Sequence, residues 1–339
     1  MRDWLAEHRA QLIALAVVLA LFATPVIMLL WMTAVPGRGW SGPLPPLTAD
    51  EAELARRLRT HVEAIGKAPH NLGHPEALER AARYLEGVLA SGGYAVVRQP
   101  FDEGRARNLE VTIEPADPRA PTLVIGAHYD SAFTAPGAND NGSGTAAVLE
   151  LARRLADLRG KASRRIRLVL FVNEEPPFFQ TERMGSLVYA HALRGRGEPV
   201  EAMFSLETLG CYSDAPGSQR YPFPPSLLYP GTGNFVAFVG TLGSRALVRR
   251  ATADFRRHAR FPSEGGAAPA LIQGVDWSDH WSFEQLGYPA IMVTDTAPFR
   301  YRFYHDTQDT PDKLDYPRLA RVVAGLEQVI RHWNQGAAR

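Results

Sequence analysis

The chain opens on an uninterrupted apolar run: from Leu12 to Val35 no residue carries a charge. At about 1.5 Å per helical residue such a run reaches across a hydrocarbon core of about 30 Å. It predicts one transmembrane anchor over residues 12–35, behind a short cytoplasmic N-terminus of residues 1–11. A cleaved signal peptide fits less well, because its apolar region is normally only about 7–15 residues long and no small-x-small site precedes Pro36. Trp31 is placed to sit at the outer interface. Arg2 and Arg9 precede the span and Arg38 follows it, with Asp3 and Glu7 diluting the bias. The balance favours a single-pass membrane protein whose C-terminal domain is exported, periplasmic or extracellular.

Residues 36–47, PGRGWSGPLPPL, are rich in Pro and Gly and read as a stiff spacer. From residue 48 to 339 the pattern is that of one globular domain. Thr48 and Glu51 form a capping-box pair, and Leu54, Leu58, Val62 and Ile65 recur at helical spacing. A second helix is expected from Pro75 to Ala90, stopped by Gly92 and Gly93. Further helices are expected over Gly144–Leu158, Met184–Leu193, Ser244–His258 and Tyr316–Trp333. Strands are expected over Tyr94–Val97, Leu109–Ile113, Thr122–Gly126, Ile166–Val172, Ala202–Leu206, Phe235–Val239 and Ala290–Val293. Short apolar runs alternating with helices predict an α/β three-layer sandwich around a central mixed, mostly parallel sheet.

Ligands bind such sheets at the carboxyl ends of the strands. Here those ends carry chemistry. His128 and Asp130 follow TLVIGA, Glu174 and Glu175 follow IRLVLFVN, Glu207 follows AMFSL, and Asp295 follows AIMVT with His305 ten residues later. Imidazole and carboxylate are zinc donors, and so many carboxylates in one place are costly unless cations accompany them. Asp140, in the small-residue loop Asn139-Asp140-Asn141-Gly142-Ser143-Gly144, is the best candidate to bridge two metals. Of the adjacent Glu174 and Glu175, one can bind metal while the other accepts a proton from water. Taken singly, each of these residues reads as an ordinary hydrogen-bonded histidine, solvated glutamate pair or loop. Their shared position past strand ends is what distinguishes them.

Composition narrows the picture further. The formal net charge is +1 and no basic run interleaves with aromatics, so nucleic acid is not an expected partner. The apolar fraction of 45% excludes a largely disordered chain. The single cysteine, Cys211, has no intramolecular disulfide partner and no legible activating context.

The motifs His128-Tyr129-Asp130-Ser131, Asn139 to Gly144, Asn173-Glu174-Glu175, Ser278-Asp279-His280 and Tyr304-His305 together resemble the co-catalytic zinc exopeptidase family. That family includes bacterial leucyl aminopeptidases, glutamate carboxypeptidase and glutaminyl cyclases. The resemblance covers roughly residues 54–326, with the motifs in the family's order. It implies two zinc ions, or other divalent metals. His128, Asp140 and Glu207 would hold one, and Asp140, Glu175 and His305 the other, with Glu174 as the general base. It implies that Asp130 hydrogen-bonds His128 from outside the ligand set, that Asp279 supports the site similarly, and that the Asp140–Asn141 peptide is cis. Arg107, Asn108 and Tyr304 would be substrate contacts. The chain departs from the family at Glu207, where many members carry Asp. It departs again at Pro176-Pro177-Phe178-Phe179, which replaces Gly-rich text after the paired glutamates.

The function so implied is a metal-dependent aminopeptidase hydrolysing the first peptide bond of substrates with a free amino terminus. Two alternatives stand beside it: a single-zinc glutaminyl cyclase, and a non-catalytic receptor-like ectodomain of the same fold. Oligomeric state and side-chain preference are not legible. The segment Tyr212–Tyr229 reads either as a lid or as a surface loop. Trp277, Trp281, Phe299, Tyr301 and Phe303 read either as pocket lining or as core. Arg300 and Arg302 read either as partners for a substrate carboxylate or as solvated loop residues.

Overall fold

The computed structural model describes residues 8–223 and 225–335. Arg2, Asp3 and Glu7 of the N-terminal charge bias, and the last four residues of the C-terminal domain, lie outside the described residues. Helix α1, Arg9–Thr33, carries the apolar run, and none of its residues is buried in the protein. Its composition and 25-residue length are sufficient to cross a membrane.

The segment after α1 is not a free-standing spacer. Arg256 donates to the carbonyls of Pro36 and Gly37 at 3.2 and 2.9 Å, Arg321 donates to that of Pro45, and Val35 and Leu44 pack on the main core. Proline stiffens the segment, but arginines on the domain decide its course.

Helix α2, Ala49–Ile65, starts at the expected capping box: Thr48 Oγ1 accepts the Glu51 amide at 3.1 Å and Glu51 Oε2 accepts the Thr48 amide at 2.8 Å. Helix α3 is Pro75–Ser91. Strands β1, Val97–Phe101, and β2, Ala106–Ile113, form an antiparallel hairpin. β1 thus begins where the expected Tyr94–Val97 strand ends. It is the sheet's edge strand, where Pro100 is tolerated and side-chain pattern is a poor guide.

The remaining elements are β3, Thr122–His128; α4, Gly142–Arg154; β4, Arg165–Phe171; α5, Gly185–Gly195; β5, Val200–Glu207; β6, Val236–Thr241; and α6, Arg245–His258. Then come β7, Ser263–Ala268; α7, His280–Gln285; β8, Ala290–Thr294; α8, Ala297–Arg300; and α9, Tyr316–Asn334. The strand order is β1-β2-β4-β3-β5-β8-β6-β7. The central strands β4, β3, β5 and β8 run parallel, so their carboxyl ends share one edge.

Alternation along the strands builds the layers. Leu123, Ile125 and Ala127 of β3, with Ile166, Leu168 and Leu170 of β4, join one core beneath α2, α3, α4, α6 and α9. Their neighbours Val124, Val169 and Phe171 join a second core with Tyr189 and Leu193 of α5 and Phe283 of α7. The period-2 side-chain geometry of a buried strand produces this division.

Sequence reasoning missed β7. Its text, SEGGAA, lacks the branched and aromatic residues that mark strands. The sequence instead serves close approach: a Cβ on Gly266 would lie 2.2 Å from Tyr229 Oη, and one on Gly265 would lie 2.5 Å from Thr252 Oγ1 and 3.0 Å from Val35.

Candidate metal centre

Three strand ends and two loops bring the acidic and imidazole groups together. His128 is the last residue of β3, Glu207 the last of β5, and Glu174–Glu175 follow β4. Asp140 lies just ahead of α4, and His305 lies on the loop after α8. Left-handed backbone at Asn173, Thr208 and His305, with φ of 62°, 48° and 58°, turns the chain sharply at three of these places. The Asp140–Asn141 peptide is cis, and so is Pro176–Pro177.

Asp140 lies between the histidines. Its Oδ1 is 3.4 Å from His128 Nε2 and its Oδ2 is 3.0 Å from His305 Nε2. His128 Nε2 is also 3.3 Å from Glu207 Oε2 and 3.7 Å from Glu174 Oε2, and His305 Nε2 is 3.2 Å from Glu175 Oε2. These approaches lack hydrogen-bond geometry. His128 Nε2, both oxygens of Asp140, Glu175 Oε1 and His305 Nε2 are buried without a hydrogen-bond partner. Atoms of His128, Asp140 and Glu175 all lie within 4.8 Å of one another, as do atoms of His128, Glu174 and Glu207. Orphaned polar atoms are rare in folded proteins and call for an explanation. Donors of this type, converging in this way, fit a zinc site.

The electrostatics agree. Burial raises the pKa of Glu174, Glu175 and Glu207, and neighbouring carboxylates raise it further. Burial opposes protonation of His128, but Glu207, Glu174, Asp130 and Asp140 together outweigh it and hold the imidazole well above its ordinary range. Asp140 moves the other way despite its burial, because both histidines face it.

Around these groups the support differs in detail from expectation. His128 Nδ1 bonds the backbone carbonyl of Asp130 at 3.1 Å, and the Asp130 carboxylate is 3.7 Å away. That carboxylate instead accepts the backbone amides of Glu174 and Glu175, both at 3.3 Å. Asp130 therefore orients two functional segments, one through its carbonyl and one through its side chain. Asp279 is fully buried with neither carboxylate oxygen hydrogen-bonded, and burial pushes its pKa up to about 7. Its neighbour Ser278 makes the direct contact, donating to Glu207 Oε2 at 2.9 Å.

Arg107 and Asn108, candidate substrate contacts, both bond to the framework. Arg107 donates to Glu86 at 2.9 Å and to Glu79 at 2.6 Å, both on α3. The Asn108 amide donates to the Gly185 carbonyl at 2.8 Å and to Gln99 at 2.9 Å. Arg300 is likewise occupied, by Gln219 and the carbonyls of Cys211 and Phe235. Tyr304 stacks on the His305 ring at 3.9 Å.

Asp309, which had no legible signal, and Asn141, legible only as part of a motif, support the Asp140 loop. Asp309 Oδ1 accepts the Asn139 amide at 2.9 Å and Oδ2 accepts the Asp140 amide at 3.1 Å. Asn141 caps α4 by accepting the Gly144 amide at 3.0 Å, and its Nδ2 donates to the Leu206 carbonyl at 2.8 Å. Gly144 permits this contact between helix and strand, since a Cβ there would lie 2.2 Å from the Leu206 carbonyl. Asp295 holds the other end of the loop, accepting from Asn139 Nδ2 at 3.1 Å and the Cys211 amide at 2.7 Å.

Beside the cluster lies a cavity of about 330 Å³. Glu207 and Tyr304 border it at the metal side, and Trp277, Phe299 and Tyr221 form part of its wall. Of the aromatics left open above, Trp277 and Phe299 line this space.

Comparison with known proteins agrees with the geometry. The family described as peptidase family M28 matches residues 108–330. An uncharacterised Escherichia coli protein, YfbL, is 37% identical over 91% of this chain and 95% of its own length. Leupeptin-inactivating enzyme 1 of Streptomyces exfoliatus is 26% identical over 94% of this chain and 69% of that one. The chain spans about half the length of fungal relatives such as a probable zinc metalloprotease of Pyrenophora tritici-repentis, of which it covers 47% at 30% identity. Among solved structures, an aminopeptidase from Aneurinibacillus sp. strain AM-1 superposes with a TM-score of 0.61 at 18% identity, over 83% of this chain and 95% of that one. A Fimbriiglobus ruber glutaminyl cyclase superposes with a TM-score of 0.60 at 21% identity, over 88% and 99%.

Proposed function

The chain belongs to peptidase family M28, and on that premise we propose that it is a membrane-anchored, exported aminopeptidase working with two zinc ions. The observation that carries this reading is the set of buried, unpartnered donor atoms on His128, Asp140, Glu175 and His305, gathered beside Glu174. His128, Asp140 and Glu207 would hold one ion; Asp140, Glu175 and His305 would hold the other. Asp140 would serve both sites, since it turns one oxygen toward each histidine.

When bound, zinc supplies Lewis acidity, which acidifies water and polarises a carbonyl. The protein supplies the rest. Glu174 takes a proton from the attacking water and passes it to the leaving amine. Asp130 keeps Glu174 and Glu175 in place by holding both of their backbone amides. Ser278 and Asn141 orient Glu207 from the other side, at 2.9 and 3.4 Å. Helix α1 supplies the anchor, with the sheet's carboxyl edge outside the cytoplasm.

Metal analysis of the full chain in detergent, together with a panel of aminoacyl and N-terminal glutamine peptides, tests this reading. Two equivalents of zinc with release of the first residue is the expected result. One equivalent with cyclisation of N-terminal glutamine would replace it by a glutaminyl cyclase. Absence of bound metal would replace it by a non-catalytic ectodomain.

A further inference from the structure

The cavity beside Glu207 has a second wall that the catalytic domain does not supply. Pro25, Met28, Leu29, Met32 and Thr33 of α1 border it. These residues are the last turns of the apolar helix. A hydrocarbon core of about 30 Å takes up about 20 helical residues. Counted from the helix start at Arg9, this places Met28 to Met32 at the far boundary of the bilayer. The aromatic Trp31 sits at that level, with the Arg245 guanidinium 4.0 Å over its ring and donating to its carbonyl at 2.8 and 3.0 Å. Arg249 and Arg256 bind the next carbonyls, of Ala34, Pro36 and Gly37. The anchor is therefore fastened to β7 and α6, and the cavity lies where the domain meets the membrane.

The cavity's outer rim is apolar and unprotected. Phe223 and Leu227, on the long loop before β6, are 78% and 67% exposed, and Leu271, on the loop after β7, is 84% exposed. Their chain neighbours Pro222, Pro225 and Ile272 line the same cavity as α1. Large side chains so exposed, beside a membrane-crossing helix, are at home in a lipid boundary and out of place in water.

We propose that these two loops dip into the outer leaflet beside α1, and that the cavity receives the apolar amino-terminal segment of a peptide lying in the bilayer surface. The anchor helix is then one wall of the substrate site, and Met28, Leu29 and Met32 are specificity determinants. The inference rests on the aminopeptidase reading for the reaction, but not for the binding geometry.

The full chain, zinc-loaded and reconstituted in lipid vesicles, supplies the test. Two peptides are compared: one with an apolar amino-terminal segment that partitions into the vesicle, and one short and water-soluble. Met32→Trp fills the cavity, and Leu271→Asp removes the rim's affinity for lipid. Each is expected to lower the ratio of kcat/KM for the partitioning peptide over the soluble one by about tenfold or more, the scale of losing an apolar pocket contact. An unchanged ratio in both variants overturns the proposal. Two arms need no turnover. Leu271→Trp fluorescence should be quenched by brominated lipid, and lack of quenching overturns the inserted rim. A photocrosslinker at position 32 should capture the partitioning peptide in a Glu174→Gln background, and capture of lipid alone overturns the peptide as occupant. Crosslinking without hydrolysis by the wild-type protein would instead refute the aminopeptidase reading and leave the site standing.

Discussion

Asp309 Oδ2 accepts the backbone amide of Asp140 at 3.1 Å across 169 positions of sequence. Through this bond, and a companion bond to the Asn139 amide, a residue that touches no metal donor side chain sets the position of the central carboxylate. Asp309→Ala leaves two buried amides without acceptors, at a cost of about 1–3 kcal/mol each before relaxation. Zinc affinity is expected to fall about 10–100-fold, as it does when supporting bonds of metal ligands are lost. Chelator competition on the folded variant measures it, and unchanged affinity would count against a supporting role.

Glu174→Gln keeps the side chain's shape and removes its basicity. Turnover is expected to fall about 10²–10⁴-fold, the contribution typical of a general base, with zinc content unchanged. Steady-state kinetics beside metal analysis of the same preparation separates loss of proton transfer from loss of metal. A variant as active as wild type would remove Glu174 from the mechanism.

Glu207 is reached by Ser278 at 2.9 Å and lies 3.3 Å from His128. Under the two-ion reading, Glu207→Ala is expected to release one zinc equivalent and to leave the one assigned to Glu175 and His305. Ser278→Ala is expected to weaken the same equivalent without abolishing it. Retention of both equivalents at full affinity in Glu207→Ala would assign that ion to other residues.

The metal-free protein has a signed pH dependence. Burial pushes Asp309 up to about 7. Burial opposes protonation of His305, but Asp140 and Glu175 raise it to about 10. Both groups hold protons in the folded state that they release on unfolding. Each therefore contributes stability that is lost as pH rises, Asp309 from the ordinary carboxylate range to about 7 and His305 from the ordinary imidazole range to about 10. Asp140, depressed, acts in the opposite sense and only at acid pH. Zinc requires deprotonated donors, so loading releases protons and flattens the slope. Thermal melts across this range, with chelator and with zinc, should show a falling Tm only in the former. A metal-free Tm that rises with pH would contradict the assignment.

Arg107→Ala distinguishes framework from substrate contact. Its two ion pairs are partly exposed, so their loss is worth about 1 kcal/mol and a Tm decrease of about 2–4 °C. KM is expected to stay at the wild-type value, and a large rise in KM would return Arg107 to the substrate site.

Local pattern made much of this protein legible. An apolar run of α1's length can serve few purposes, and helical spacing marked α2 and α3. Short apolar runs marked the central strands, whose side chains are buried on both faces. Parallel strands then place their terminal His128 and Glu207 on one edge. These features depend on periodicity and chain direction, which are properties of neighbouring residues. The family motifs add the pairing of Asp140 with Glu174 and Glu175.

Tertiary structure decided what periodicity does not encode. β7 exists because β6 offers it a partner, and its glycines answer to the close approach of Tyr229, Thr252 and Val35 rather than to strand propensity. Asp130 was expected to hydrogen-bond His128, and the strand-end geometry decides that its carbonyl makes that bond while its carboxylate accepts the amides of Glu174 and Glu175. Arg107 and Arg300 were candidates for substrate, yet Glu79, Glu86 and Gln219 already lie within their reach. Above all, the apolar helix could be read from sequence only as an anchor. Its packing through Arg245, Arg249 and Arg256 makes it a wall of the cavity beside Glu207, because a hydrogen bond to a backbone carbonyl depends on where the chain passes, and no side-chain pattern records that path.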